Sequence, residues 1–269
     1  MRSTAWGAWT AAVLLLAGCA GGPSGADDAT PSRTPTPLPT NAPATVAERC
    51  FVEGPGDLEA LTGADGSSLT SVGYGSGTDA VVLLHQTGAG GLCGWVPYAR
   101  WLGEHGVLAL AVDDCVHGAS RCTPAVTADT RAQVAVAVDA ARTRGATRVA
   151  VVGASMGGAR ALGVGEAAGA DAVVDLSGPD HWDGVPDAVA AARATSVPLL
   201  VVSSDGDTGI DGDLLDDAVA ASPARVKDRW RLEGSRHGWD VVTDGLGDDA
   251  VVTAEGGRVL AWVRAALAG

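Results

Sequence analysis

The chain has 269 residues, of which 46% are hydrophobic and 19% are charged. This composition is sufficient to bury one sizeable core. The 32 acidic residues outnumber the 18 lysines and arginines, and the formal net charge is −14. Binding to nucleic-acid phosphates requires a cationic face, and such an acidic chain is a poor candidate for one. We therefore expect a globular protein, a monomer, with no nucleic-acid partner.

Residues 1–18 have the composition of an export signal. A single arginine, Arg2, precedes an apolar stretch of about a dozen residues, too short to span a bilayer as a stable helix. The sequence Leu16-Ala17-Gly18-Cys19 resembles the lipobox of bacterial lipoproteins, in which the cysteine becomes the lipidated first residue of the mature protein. The alternative is an ordinary secretory signal with a chance cysteine. We expect an exported protein anchored to the outside of the cell membrane through Cys19.

Residues 19–47 are rich in proline, threonine, serine and alanine and contain little that could form a core. Such a composition is typical of an extended, disordered segment. We interpret residues 19–47 as a tether that holds a folded domain, residues 48–269, away from the membrane.

Four cysteines remain when Cys19 is set aside, an even number in a compartment where disulfides persist. Three pairings are possible. We favour Cys115 with Cys122, which are close in sequence, and this leaves Cys50 to join Cys93. The alternative is four buried free thiols. No C-x-x-C pair is present, so zinc or thioredoxin chemistry has no support.

Short β-branched runs alternate with alanine-rich helical stretches from residue 80 onward. This alternation predicts a mostly parallel, doubly wound α/β sheet with helices on both faces. A hairpin over 65–78 is expected to lead into the sheet, and a last strand over 224–234 to precede a helix over 254–268. The strands are predicted at 80–85, 107–114, 147–153, 171–177 and 198–204, and the helical spacing is clearest over 127–144 and 156–168.

The stretch VVGASMGGAR places Ser155 between a predicted strand and a predicted helix, with glycines two positions away on each side. This is the context that a G-x-S-x-G nucleophile requires, because side chains at the flanking positions would collide with neighbouring strands. In a chain with 38 glycines the match alone could arise by chance. A serine nucleophile also needs a general base and an acid. Asp205 and Asp207 follow the strand at 198–204, and His237 follows the last predicted strand.

With these residues in this order, the chain resembles an α/β-hydrolase of the lidless, dienelactone-hydrolase-like and esterase-like kind, over about residues 65–269. Three further stretches carry the resemblance: VVLLHQTGAGGLCGW resembles the strand and His-Gly oxyanion turn, AVDDCVHGAS the D-x-x-G-H-G-x-S loop, and GSRHGWD the histidine loop. Gln86 stands where the turn usually has a glycine, and Val116 where the loop usually has one.

The resemblance implies that Ser155 is the nucleophile and His237 the base, with His181 as the alternative base. It favours Asp207 as the acid of the triad, with Asp205 as the alternative. The backbone N–H groups of Thr87 and Met156 would form the oxyanion hole, and Gln86 leaves open which amide of the turn completes it.

We therefore expect a serine hydrolase that cleaves carboxylic esters or related acyl compounds and needs no cofactor and no metal. The acidic stretch 205–216 lacks the glycine and glutamate positions of an EF-type calcium loop. Only residues 178–197 separate two strands where a lid would be inserted, so we expect an open cleft without a large lid domain, bordered by Trp95, Trp182 and Trp239. The alternatives are an acyltransferase or peptidase with the same triad, or a non-catalytic surface binding protein.

Overall fold

The structure, a computed structural model, describes residues 38–88 and 90–269. Its main feature is a sheet of eight strands in the order β1-β2-β4-β3-β5-β6-β7-β8. β1 and β2 are antiparallel to their neighbours, and the strands from β3 to β8 pair in parallel. The strands are β1 (Leu58–Thr62), β2 (Ser68–Tyr74), β3 (Asp79–Leu84), β4 (Leu108–Val112), β5 (Arg148–Ala154), β6 (Ala172–Leu176), β7 (Leu199–Ser204) and β8 (Lys227–Leu232).

Helices cover both faces of the sheet, as predicted. The central strands are mostly apolar because alternate side chains enter different cores: Val81 and Leu83 of β3 pack on one face, and Val82 and Leu84 on the other. α2 and α8 cover the first face, and α4 to α7 cover the second. The helices are α1 (Val46–Cys50), α2 (Val96–Glu104), α3 (Pro124–Thr127), α4 (Thr130–Thr143), α5 (Met156–Val164), α6 (Ala188–Ala194), α7 (Gly212–Ala221) and α8 (Ala254–Ala268), with 3-10 turns at Gly91–Trp95 and Gly238–Val241.

The predicted hairpin lies earlier in the chain than expected. Its strands are β1 and β2, so residues 58–74 form the hairpin instead of 65–78. β1 contains a charged residue, Glu59, whose carboxylate lies 2.7 Å from the guanidinium of Arg144, the C-cap residue of α4. A second hairpin, β9 (Thr243–Asp244) with β10 (Val251–Val252), was not expected from the sequence.

The folded domain begins before the predicted boundary at residue 48. Val46 is fully buried, and its N–H donates to Gly56 O at 2.8 Å. Leu58 N–H donates to Ala44 O at the same distance. These contacts attach the last part of the predicted tether to the domain. The predicted signal and Cys19 lie outside the described residues, and none of the helices in the described part of the chain is long and apolar enough to cross a membrane.

Two disulfides join the cysteines as the sequence predicts. Cys50 pairs with Cys93, and Cys115 pairs with Cys122. Cys93 lies in the 3-10 turn that follows β3, and Cys115 lies in the loop that follows β4. Both bridges therefore anchor loops at the carboxyl edge of the parallel strands, where ligand sites form in sheets of this type.

Candidate active site

Ser155 occupies the sharp turn between β5 and α5. Its φ of 50° and ψ of −117° lie outside the regions that non-glycine residues favour, a strain that costs roughly 1–3 kcal/mol and is typical of functional sites. The turn can be this tight because its neighbours are glycines. A Cβ on Gly153 would collide with Gly157 O, and a Cβ on Gly157 would collide with Leu84 O. The flanking glycines are thus required by packing, as the sequence predicts.

Asp207 and His237 are brought together from two different loops. Asp207 Oδ2 lies 2.7 Å from His237 Nδ1. The loops are joined by a backbone hydrogen bond from Gly206 N–H to Gly234 O at 2.8 Å. The Asp207 side chain is 7% exposed and that of His237 is 36% exposed. Since an ionised carboxylate only accepts, Nδ1 carries the proton and Nε2 is left with a lone pair that can take a proton from a nucleophile.

The two alternative residues lie elsewhere. Asp205 is exposed and its carboxylate lies 3.7 Å from the Arg231 guanidinium. His181 is also exposed, and its Nδ1 lies 2.7 Å from Asp187 Oδ1. The hydrogen bond and charge of Asp187 raise the pKa of His181. Neither residue takes part in the pair that Asp207 forms with His237.

The histidine loop packs against the end of β5. Gly238 has a φ of +61°, and a Cβ there would lie 3.3 Å from the Ala154 Cβ and would collide with Gln86 Oε1. Gly238, the residue after His237, therefore lies beside Ala154, the residue before Ser155. The Ser155 hydroxyl makes no hydrogen bond to any residue that the structure describes. Such contacts often tighten only when a substrate binds.

Two backbone N–H groups are available near Ser155. Thr87 N–H lies in the turn after β3, and Met156 N–H begins α5. Neither donates to an acceptor among residues 38–88 and 90–269. The two elements touch, because a Cβ on Gly157 would lie 2.8 Å from His85 O. The N-terminus of α5 also favours a negative charge. The arrangement can hold an oxyanion.

Gln86, the departure from the usual glycine, uses its side chain to reach the histidine loop. Gln86 Oε1 accepts a hydrogen bond from Trp239 N–H at 3.4 Å. The two residues are 153 positions apart in the sequence, and sequence reasoning did not find this contact. The larger side chain therefore links the oxyanion turn to the loop that carries His237.

A polar cluster lies beside the turn. His85, Asp114 and His117 bring one potential ligand atom each within 4.8 Å of one another, a spacing that a metal ion could use. The contacts favour a hydrogen-bonded network instead. His85 Nε2 accepts from Asp114 N–H at 3.2 Å, and Asp114 Oδ2 accepts from Arg160 at 2.8 Å. The Arg160 charge beside Asp114 opposes a divalent cation.

The expected position of Trp95 is wrong. Its side chain is fully buried, because the 3-10 turn Gly91–Trp95 directs it into the core, where its ring lies 6.1 Å from that of Tyr98. Trp182 and Trp239 are partly exposed in their loops.

The acidic stretch 205–216 has a structural role, since Asp211 caps the N-terminus of α7.

Comparison with protein-family models and with curated protein sequences finds no match to this chain. Solved structures do match. An esterase from Pyrococcus furiosus superposes with a TM-score of 0.62 at 17% identity, over 87% of this chain and 98% of that one. A Xanthomonas campestris protein, described as an α/β serine hydrolase without a lid, gives a TM-score of 0.50 at 19% identity, over 67% of this chain and 85% of that one.

The chain has the α/β-hydrolase fold. A third structure with this likeness is Est1E from Butyrivibrio proteoclasticus, solved with ferulic acid bound, which has a TM-score of 0.53 at 18% identity over 66% of this chain and 90% of that one. Residues 38–88 and 90–269 contain no large lid domain. The connection between β6 and β7, where many α/β-hydrolases insert one, contains only the seven-residue helix α6.

Proposed function

We propose that the protein is a serine hydrolase that cleaves carboxylic esters through Ser155, His237 and Asp207. The observation that carries this proposal is the 2.7 Å contact between Asp207 and His237, because the loop of His237 packs at Gly238 against Ala154, next to the strained Ser155. A structural serine in a turn needs neither a strained backbone nor a base oriented by a buried carboxylate. An activated nucleophile needs both.

The proposed reaction begins when Ser155 Oγ attacks the acyl carbon and its proton moves to His237 Nε2. Asp207 stabilises the imidazolium that forms. The negative oxygen of the tetrahedral intermediate accepts hydrogen bonds from Thr87 and Met156 N–H, and each such donor is typically worth about 3 to 4 kcal/mol. His237 then gives the proton to the departing alkoxide, which leaves an acyl group on Ser155. Water activated by His237 attacks this ester and releases the acid.

The absence of a lid indicates a substrate with a short acyl group. Each methylene that is transferred from water to an apolar wall contributes about 0.8 kcal/mol. Among the described residues, the loop between β6 and β7 supplies only α6 and the partly exposed Trp182 near this edge. A long chain would therefore remain largely in water, and its additional carbons would add little to the binding free energy.

We further propose that the mature protein is a lipoprotein anchored outside the cytoplasmic membrane through Cys19. The lipobox-like tetrad and the polar tether that follows it support this location. Mass spectrometry of the mature N-terminus from membranes tests it. A diacylated N-terminal Cys19 is expected, lost in Cys19→Ala, whereas an unmodified terminus at another residue would contradict the anchor.

Hydrolysis of p-nitrophenyl butyrate tests the proposed activity. Ser155→Ala should lower kcat by at least about 10³-fold while the thermal unfolding midpoint changes little, because the change removes one hydroxyl. Ser76→Ala is the matched control, since Ser76 is exposed on the loop after β2 and its removal should leave kcat unchanged. Full activity in Ser155→Ala would reject the proposed nucleophile.

A further inference from the structure

The turn that carries Thr87 is held by a histidine that lies between two acceptors. His117 Nδ1 lies 2.6 Å from Asp114 Oδ1, and His117 Nε2 lies 3.2 Å from Gly88 O. A carboxylate and a carbonyl oxygen can only accept hydrogen bonds, so His117 is the donor in each contact that it makes with them. The ring therefore links the loop after β4 to the turn after β3.

Asp114 connects this histidine to the helix that follows Ser155. Its other oxygen, Oδ2, accepts from the Arg160 guanidinium at 2.8 Å. Arg160 is on α5, four positions after Met156, so it lies about one helical turn from the second oxyanion donor. Burial acts to raise the pKa of Asp114, but its contacts with His117, His85 and Arg160 outweigh burial and lower it to about 2. The carboxylate is therefore ionised throughout the working range of pH.

His85 completes the support from within the turn. Its Nδ1 lies 2.6 Å from Gln86 O, and its Nε2 accepts from Asp114 N–H at 3.2 Å. This pattern fixes the neutral tautomer with the proton on Nδ1. Burial lowers the pKa of His85, consistent with a neutral ring. The rings of His85 and His117 lie 4.4 Å apart, so the two histidines pack together beside the turn.

We propose that Arg160, Asp114 and His117 form a positioning bridge that fixes the Thr87 N–H of the turn relative to the Met156 N–H of α5. This inference rests on the proposed function, because it assigns the bridge to the oxyanion hole of that reaction. The three side chains are only partly or slightly exposed, and the loop that carries His117 is closed by the Cys115–Cys122 disulfide. The bridge therefore runs between rigid elements, as precise positioning requires.

The bridge is the link that the turn would lose with the His117 side chain. The charged groups around His117 are Asp114 beside it, Arg160 of α5, and the buried Asp113–Arg49 ion pair next to Gly118. Without the His117 ring the contact to Gly88 O is lost and the turn is less well held, so kcat should fall.

The test compares His117→Ala, His117→Gln and the control His105→Ala, which changes an exposed histidine at the end of α2. Steady-state hydrolysis of p-nitrophenyl butyrate is measured at one fixed pH. His117→Ala should lower kcat about 10- to 100-fold with little change in KM. His117→Gln, which keeps one donor, should restore part of kcat. His105→Ala should match the wild type.

A second measurement separates this inference from the proposed function. Hydrogen–deuterium exchange of peptides covering residues 82–92 should become faster in His117→Ala and in Asp114→Asn, and should remain unchanged in Ser155→Ala. The double variant His117→Ala with Asp114→Asn should have about the same kcat as the less active of the two single variants, because both substitutions break the same bridge. Unchanged exchange, or an unchanged kcat in His117→Ala, would overturn the bridge. An inactive wild type whose turn still depends on His117 would overturn the proposed function alone.

Discussion

Asp175 is a fully buried carboxyl group beneath the Ser155 turn, and its ionisation should set part of the pH dependence of stability. Its Oδ1 accepts a hydrogen bond from Gly178 N–H at 2.6 Å, and a Cβ on Gly158 would collide with the same oxygen. Oδ2 has no hydrogen-bond partner within the part of the chain that the structure describes. Burial raises the pKa of Asp175 from 3.8 to about 7, because a charge without compensating donors is costly in a buried position.

The sign of the effect follows from proton linkage. Below about pH 3.8 the carboxyl group is protonated in both the folded and the unfolded chain, so its contribution to stability is fully present. Between pH 3.8 and about 7 the unfolded chain releases this proton and the folded chain keeps it, and the free energy of unfolding decreases as pH rises. The gap between the two pKa values corresponds to on the order of 4 kcal/mol.

Asp175→Asn removes the titration while keeping an oxygen that can accept from Gly178 N–H. Urea unfolding, followed by tryptophan fluorescence with the disulfides intact, gives the free energy of unfolding at intervals from pH 4.5 to 8.5. The free energy of unfolding of the variant, relative to that of the wild type, should increase by about 3 to 4 kcal/mol from pH 4.5 to 8.5. Any constant cost of the amide cancels in this comparison. Asp139→Asn, at an exposed position of α4, should show no such trend. Parallel pH profiles for Asp175→Asn and the wild type would refute the reasoning.

Three further predictions concern the site. Gly157→Ala should lose several kcal/mol of stability and nearly all activity, since its Cβ would meet backbone oxygens. The control is Gly257→Ala in α8, where a Cβ has open space; its free energy of unfolding should rise by about 0.5 to 1 kcal/mol. Asp207→Asn should lower kcat by about 10⁴-fold and Asp205→Asn by less than about two-fold, and the reverse order would contradict the pairing with His237. Among p-nitrophenyl esters of two to sixteen carbons, kcat/KM should be highest for short chains, and a maximum at the long end would contradict an open, lidless cleft.

The central sheet and the order of the site residues could be predicted from the sequence because both depend on local pattern. Strands buried on two faces contain unbroken apolar runs, residues 80–84 in β3 and 199–202 in β7. A G-x-S-x-G sequence between strand and helix predicts Ser155 as the nucleophile. The first hairpin was misplaced because Glu59 interrupts the apolar pattern of β1, and its charge is balanced by Arg144, far away in sequence. The strands β9 and β10, at two residues each, are too short to leave a pattern.

The supporting contacts of the site could not be predicted, because they join segments that only the fold brings together. Gln86 reads as a lost glycine in the sequence, but its carboxamide contacts Trp239 in the histidine loop. Arg160 belongs to none of the sequence motifs, but it binds Asp114 of the loop after β4. Trp95 was expected at the cleft as one of three tryptophans from three separate loops, and here the 3-10 turn directs it inward.

The central claim is that Ser155 is the activated nucleophile, and mapping the site of a covalent adduct tests it most directly. The intact protein is treated with a fluorophosphonate, digested and sequenced by tandem mass spectrometry, alongside Ser155→Ala and Ser76→Ala. The account predicts one adduct per chain, on Ser155, in the wild type and in Ser76→Ala. The adduct should form more slowly in His237→Ala, because that variant lacks the base that activates the serine. An adduct on a different residue, or ester hydrolysis by a wild-type protein that takes up no phosphonate, would contradict it.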